Sequence, residues 1–327
     1  MNIVKAGYHF ITPKSTSPED TIAHIERCGR VCYKSEDRIT PVSGEKFVKN
    51  ITKRGHTSVL EHGNIIMAMD GSSYMNIKVN ASRLIDDGKR VYLRFTNIEN
   101  RYIVSGNVRA WRDFFNLCRS YGLSFYATTI NEFRNFCVLF SDVISNEMGN
   151  GAVTNKYINH CSVEGFDSLT SDIEKFVHCT MTIKFTVDRG ISHELVRHRT
   201  LSPSQESTRY CNYSDNKFSG NITVIEPLFF IRGTDAYNAW QLACLQAENA
   251  YFHLLDMGCS PQQARDALPN SLKTEVVMTG THKEWWDFLK LRTASGVHPQ
   301  MREVTDPLLA DLSSRFPSFY GDIRRSE

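Results

Sequence analysis

Read by the spacing of its apolar positions, the chain falls into helical and strand-like stretches that alternate throughout. Ser17 precedes Pro18, Glu19 and Asp20, which places a cap, a first-turn proline and acidic residues where a helix begins. Ile22, Ile25 and Cys28 or Cys32 then make one apolar stripe. Residues 43–54 repeat the helical pattern, with Phe47, Val48 and Ile51 inward and Gly55 as the stop. Strands are expected at Asn64–Met69, at 90–96 and at 102–105. In the second of these, Val91, Leu93 and Phe95 alternate with Tyr92 and Arg94. Helices are expected over 108–121 and 129–146, followed by a Gly- and Asn-rich loop over 146–165. Strand patterns return at 180–187, 222–225 and 276–279, and helical patterns at 191–198, 234–257 and 283–291. Ser260, Pro261 and Gln263 form a capping box before a further short helix. The tail beyond it is mixed. Such interleaving belongs to the α/β or α+β class.

One echo runs through this pattern. Residues 102–117 align with 276–291, with identities at Gly106/Gly280, Trp111/Trp285, Asp113/Asp287, Phe114/Phe288 and Leu117/Leu291. Each copy reads as strand, glycine turn and amphipathic helix. Two explanations stay open: a chance likeness of two such units, or an old duplication with one copy kept for ligand contacts.

Composition narrows the function classes. The 327 residues are 41% hydrophobic and 23% charged, enough for a core of ordinary size. A net charge of +2 argues against a nucleic-acid binder. The nine cysteines include no C-x-x-C pair, which suggests a reduced, cytoplasmic chain. The start lacks a long apolar stretch, so no secretory signal is expected, and no apolar run reaches membrane-spanning length. Phosphate loops of the G-x-x-x-x-G-K-[ST] and G-x-G-x-x-G kinds are absent. His193 and His198 lie five apart, about 140° around a helix, so no metal site is expected from them.

The segment with most chemistry is residues 192–210. It carries Arg197, His198, Arg199 and Arg209, with hydroxyls on Ser202, Ser204, Ser207, Thr208 and Tyr210. Two arginines two apart on a helix point to nearly opposite sides, so one is free to hold a phosphate while the other meets a second ligand. A solvated basic helix end gives the same composition.

Arg197-His198-Arg199, seven residues and then Ser207 match R-H-R-x7-S, and the chain resembles the flavin-dependent thymidylate synthase family there. Further segments are similar to that family in the same order: Arg30–Tyr33 as numbered 30–33, 55–62 as G-H-x-[ST]-x-x-E-H, Ala264-Arg265 with Leu268-Pro269, and Leu291-Arg292 with Pro299-Gln300. The resemblance implies an α+β fold, a mixed sheet flanked by helices in a single domain over 1–327. It is a long form, with a segment inserted at about 71–177, before the RHR motif. It implies reductive methylation of dUMP to dTMP with 5,10-methylene-tetrahydrofolate as carbon donor and FAD reduced by NADPH, without a cysteine nucleophile. Arg292 falls where the family places the charge that activates the pyrimidine. Glu194, Arg197, Gln205, Glu206, Ser207, Thr208, Arg209, Arg265 and Arg292 fall at dUMP positions. Ser58, Glu61, Arg197, His198 and Arg199 fall at FAD positions. Asn107 with Arg109, or Lys283 with Asp287, complete the FAD site, because shorter members carry Asn-x-Arg at the later strand-turn-helix copy and this chain carries it at the earlier one. The family also implies a homotetramer with active sites where subunits meet. The alternatives are a non-catalytic nucleotide-binding relative and a nucleic-acid-binding module.

Overall fold

The computed structural model describes residues 1–125, 127–144, 162–163, 169–215 and 218–323. In chain order the elements are β1 (Asn2–Val4), β2 (Gly7–Phe10), α1 (Pro18–Val31), α2 (Ser43–Lys53), β3 (Asn64–Met69), α3 (Gly71–Asp86), β4 (Arg94–Ile98), β5 (Arg101–Asn107), α4 (Val108–Ser120), α5 (Ala127–Arg134), α6 (Cys137–Phe140) and β6 (Ser162–Val163). Then come α7 (Asp172–His178), β7 (Thr180–Asp188), α8 (Arg189–Leu195), β8 (Ser202–Gln205), β9 (Thr223–Ile225), α9 (Asp235–Asp256), α10 (Pro261–Ala264), β10 (Lys273–Thr281), α11 (His282–Arg292), α12 (Pro299–Arg315) and α13 (Pro317–Tyr320).

Local chemistry accounts for many of these boundaries. Ser17 accepts from the Asp20 N–H at 3.1 Å and starts α1. Thr234 caps α9, and Gly258, with positive φ, follows its last turn. The helices α3, α7 and α12 have no counterpart in the sequence pattern above. Asp70 caps α3, and a Ser171–Glu174 capping box starts α7. The helix expected over 129–146 is broken into α5 and α6. The strand expected at 90–96 instead occupies Arg94–Ile98, joined to β5 by a turn in which Glu99 and Asn100 both have positive φ. Most of the loop expected over 146–165 lies outside the described residues, but Ser162 and Val163 pair with β3.

The fold mixes helices with sheet, but in place of the single mixed sheet expected, the described residues form two four-stranded sheets and a small parallel pair, β1 with β9. One sheet has the order β4-β5-β3-β6 and the other β8-β10-β7-β2, and every neighbouring pair within both is antiparallel. In each, a central strand runs straight into a helix, β5 into α4 and β10 into α11. The sequence echo marks equivalent places. Trp111 and Trp285 are both fully buried and donate their ring N–H to the carbonyls of Ile65 and Met181, at 3.3 and 3.1 Å. Val108 N donates to Gly63 O at 2.8 Å, and His282 N to Cys179 O at 3.2 Å. Gly106 and Gly280 lie beneath Leu93 and Leu201, where a Cβ would collide with the leucine side chains. Each sheet has its own apolar core. Trp111, Phe115 and Phe133 anchor the first, Phe185, Trp285 and Phe288 the second, and Tyr213, Val224 and Tyr251 form a third beneath α9.

Two buried histidines join the sheets reciprocally. His62, in a 3-10 turn before β3, reaches Thr279 Oγ1 on β10 at 2.7 Å and Ser204 Oγ on β8 at 2.8 Å. His178, ending α7 before β7, reaches Ser105 Oγ on β5 at 2.7 Å and Thr96 Oγ1 on β4 at 2.9 Å. Burial pushes His62 down to about 3, helped by His24, and His178 down to about 4, helped by Arg94. The folded chain therefore keeps both rings neutral, while the unfolded chain binds a proton to each below about pH 6.5. Stability is full above that pH and falls as pH drops toward the folded values, by about 2 kcal/mol per ring at pH 5. Thermal denaturation followed by circular dichroism is expected to show a falling midpoint between pH 7 and 5, with a shallower slope in His178→Gln. A midpoint constant over that interval would contradict the assignment of neutral, buried rings.

Candidate active site between the two sheets

A cleft of about 550 Å³ opens where the two sheets meet. From the first sheet's side it is lined by Glu61, Arg94, Asn107 and Arg109, and from the second by Arg199 and Ser202. Asn107 is held as the N-cap of α4, accepting from the Ala110 N–H at 2.8 Å, and Arg109 follows in the first turn of that helix. Arg109 Nη1 donates to Glu61 Oε1 at 2.7 Å, and Ser202 Oγ donates to Glu61 Oε2 at 2.9 Å, so one carboxylate ties both sides together. Arg94 Nη2 donates at 3.1 Å to Glu284 Oε1 on α11, the helix that follows β10 of the other sheet. Burial pushes the Asp113 carboxyl up against the opposing pull of Arg109 and Arg112. Two buried polar atoms at the cleft, Asn64 Oδ1 and Arg94 Nη1, have no hydrogen-bond partner among the described residues. Buried groups of that kind are normally satisfied, so they mark where a polar ligand would bond.

The RHR segment differs locally from its expected form. The helix α8 ends at Leu195, so Arg197, His198 and Arg199 occupy the turn after it. The helical spacing assumed for Arg197 and Arg199, and for His193 and His198, therefore does not apply. Arg197 and Arg199 are exposed. The His198 ring stands edge-on to Phe288, with centroids 5.2 Å apart. Burial, and then the charge of Arg292, hold its pKa down.

Arg292 lies at the end of α11 beside α8. Its Nη2 donates to Glu194 O at 2.9 Å and its Nη1 to Glu194 Oε2 at 3.4 Å, while its Nε is buried without a partner among the described residues. The loop after β8 is anchored from below. Gln205 Nε2 donates to Ser192 Oγ at 2.8 Å, and Ser207 N donates to Cys32 O at 3.0 Å. Tyr33 packs against Tyr210 with centroids 5.2 Å apart. Glu206 is buried, accepting from Lys273 Nζ at 2.9 Å. Lys34 Nζ donates to Glu275 Oε2 at 2.6 Å. Burial alone would raise the Glu275 carboxyl, but Lys273 and Lys34 draw it down to about 2. Thr208 is buried, while Arg209 and Arg265 are exposed. Cys211 is buried.

The expected residues therefore form two groups. Glu61, Asn107, Arg109 and Arg199 share the cleft, and Glu194 and Arg292 touch each other beside His198. Ser58 is exposed and is not among the residues lining the cleft. Lys283 and Asp287 pair with each other at 2.9 Å on α11, also away from the cleft lining. Sequence reasoning did not single out Arg94, although the alternation around it had put it on the polar side of its strand. It also passed over Lys34 and Lys273, whose partners are remote in sequence.

The sequence model of the thymidylate synthase complementing protein family matches residues 132–318. The chain is 31% identical over 179 residues to the probable flavin-dependent thymidylate synthase of Mycobacterium phage D29, covering 51% of this chain and 72% of that protein. It is 29% identical over 178 residues to the protein of the same description from Mycobacterium phage L5, covering 51% and 69%. It is 25% identical over 174 residues to the flavin-dependent thymidylate synthase of Pyrococcus furiosus, covering 49% and 70%. On the extent of these matches and the RHR segment, the chain belongs to the family of thymidylate synthase complementing proteins, the flavin-dependent thymidylate synthases.

Proposed function

We propose that the chain converts dUMP to dTMP, taking the carbon from 5,10-methylene-tetrahydrofolate, with FAD bound in the cleft between the sheets and NADPH as the reductant. The observation that carries this reading is the meeting of Arg199 with Asn107 and Arg109 across that cleft. Guanidinium groups on both walls suit the diphosphate of an anionic dinucleotide. The unpartnered Asn64 Oδ1 and Arg94 Nη1 suit a ligand rich in polar ring and hydroxyl groups. Of the two strand-turn-helix copies, the first supplies the FAD contacts. When bound, FAD carries the reducing equivalents that complete the methyl group.

The residues of the second group handle the nucleotide. The loop of Gln205, Ser207, Thr208 and Arg209, with Arg197 and Arg265, supplies donors and positive charge for the phosphate. Glu206 acts from beneath, holding the loop through Lys273. Arg292 is the catalytic residue: its charge, fixed in place by Glu194, stabilises negative charge on N3 and the flanking carbonyls of the pyrimidine and so enriches carbon 5 in electrons. A buried thiol such as Cys211 is not needed as nucleophile. No helix among the described residues is long and apolar enough to cross a membrane, and the proposed setting is the cytoplasm. Leu242 and Leu245 on α9, and Met257 just after it, are exposed apolar residues that suit assembly into a homotetramer.

Chromatography of a reaction with dUMP, methylene-tetrahydrofolate, NADPH and FAD is expected to show dTMP. Arg292→Ala lowers the rate roughly 10²–10³-fold, as loss of a preorganised charge does. Accumulation of no dTMP by a chain that binds dUMP would favour a non-catalytic relative instead. In a separate titration, Arg109→Ala weakens FAD binding roughly tenfold or more while Lys283→Ala leaves it near wild type. The opposite order would assign the FAD contact to the second copy.

A further inference from the structure

The two sheets are equivalent beyond their strand order. Arg94 pairs with Ser105 as Ser202 pairs with Thr279, so these positions correspond, and with them Asn107 to Thr281 and Arg109 to Lys283. The same registration makes Thr96 equivalent to Ser204. The reciprocal bonds of His62 and His178 therefore use equivalent hydroxyls on opposite sheets. This is the arrangement of two copies of one unit that exchange a contact about an approximate twofold axis. The family match begins at residue 132 and so leaves the β3–β5 unit outside it.

The cleft lies on that axis, because equivalent residues from both units line it: Asn64 with Thr180, and Arg94 with Ser202. Away from the axis the equivalence fails. On one side Arg199 faces Asn107 and Arg109. On the other, Val91 stands three residues before Arg94, where Arg199 stands three before Ser202. In the places of Asn107 and Arg109 the second unit has Thr281 and Lys283; Lys283 pairs with Asp287 on its own helix, whereas Arg109 reaches Glu61 outside its helix. The two related sites thus differ in their linings: Arg199 meets Asn107 and Arg109 at one, while Tyr92 and Glu284 line the other.

Resting on the FAD reading above, we propose that the N-terminal unit serves as a built-in neighbour. It supplies Asn107 and Arg109 to the FAD cleft in cis, and each chain holds one such cleft. Glu61 bonds both Arg109 of its own unit and Ser202 of the other, so the cleft's walls are tied together within one chain. On this reading α3, β4, β5 and α4 complete a first unit.

The test separates cis from trans assembly. A full-length chain carrying Asn107→Ala and Arg109→Ala is co-expressed with one carrying Arg199→Ala, each with its own affinity tag. Hybrids are isolated by tandem purification and titrated with FAD, with wild type alongside. A cis cleft predicts that the hybrid binds no better than the separate variants, roughly tenfold or more below wild type. A wild-type chain that is monomeric and still binds FAD supports the same conclusion. Return of wild-type affinity to about half the sites of the hybrid would overturn the proposal, because only a trans cleft allows it. Failure of wild type to bind FAD at all would overturn the FAD reading, and this inference with it. Should the double variant not fold, Arg109→Gln takes its place in the same comparison.

Discussion

The arrangement depends on a buried polar chain that crosses between the sheets. His24 Nε2 meets Thr182 Oγ1 at 2.8 Å, Thr182 meets Thr279 at 2.8 Å, and Thr279 and Ser204 take the two nitrogens of His62. All of these groups belong to buried residues, so each must find its partner inside the protein or incur a large cost of desolvation. Only one mutual placement of the sheets satisfies them together. Apolar packing between the same surfaces would tolerate sliding, whereas hydrogen bonds below 3 Å do not. The cleft inherits its shape from this registration, since Asn64, two residues beyond His62, and Thr279 itself both line it.

The chemistry then follows from how charge is distributed around a fixed frame. At the cleft, Arg109 and Arg94 are steadied by Glu61 and Glu284, and Arg94 Nη1 stays without a hydrogen-bond partner among the described residues. At the end of α11, one carboxylate and one carbonyl of Glu194 hold Arg292 on two of its nitrogens and leave the third. A charge held this way needs no reorganisation when a ligand develops negative charge beside it. Beneath the loop after β8, the carboxylates of Glu206 and Glu275 are matched by Lys34 and Lys273, so the loop's conformation is set before any ligand enters.

What the sequence disclosed was mostly local. Ser17 and Ser260 announce helices because a cap and its hydrogen-bond partner lie within four residues. The run Asn64–Met69 reads as a strand because it is buried on both faces. By contrast α3 carries Tyr74, Ile77, Ala81 and Leu84 at helical spacing, diluted by Asn76, Lys78 and Asn80, and α12 contains Pro307. The RHR triplet was visible, but the end of α8 at Leu195 was not. Partners remote in sequence were beyond reach: His62 and Ser204 are separated by 142 positions, and Lys34 and Glu275 by 241. The echo of residues 102–117 in 276–291 was the one long-range signal, and it pointed to the pair of units on which the cleft is built.

The central claim is that the space between these units is a flavin site formed once per chain. Titrating the purified chain with FAD, and following the change in visible absorption, tests it most directly. The account predicts saturation at one FAD per chain. Saturation at two per chain, or no binding, would contradict it.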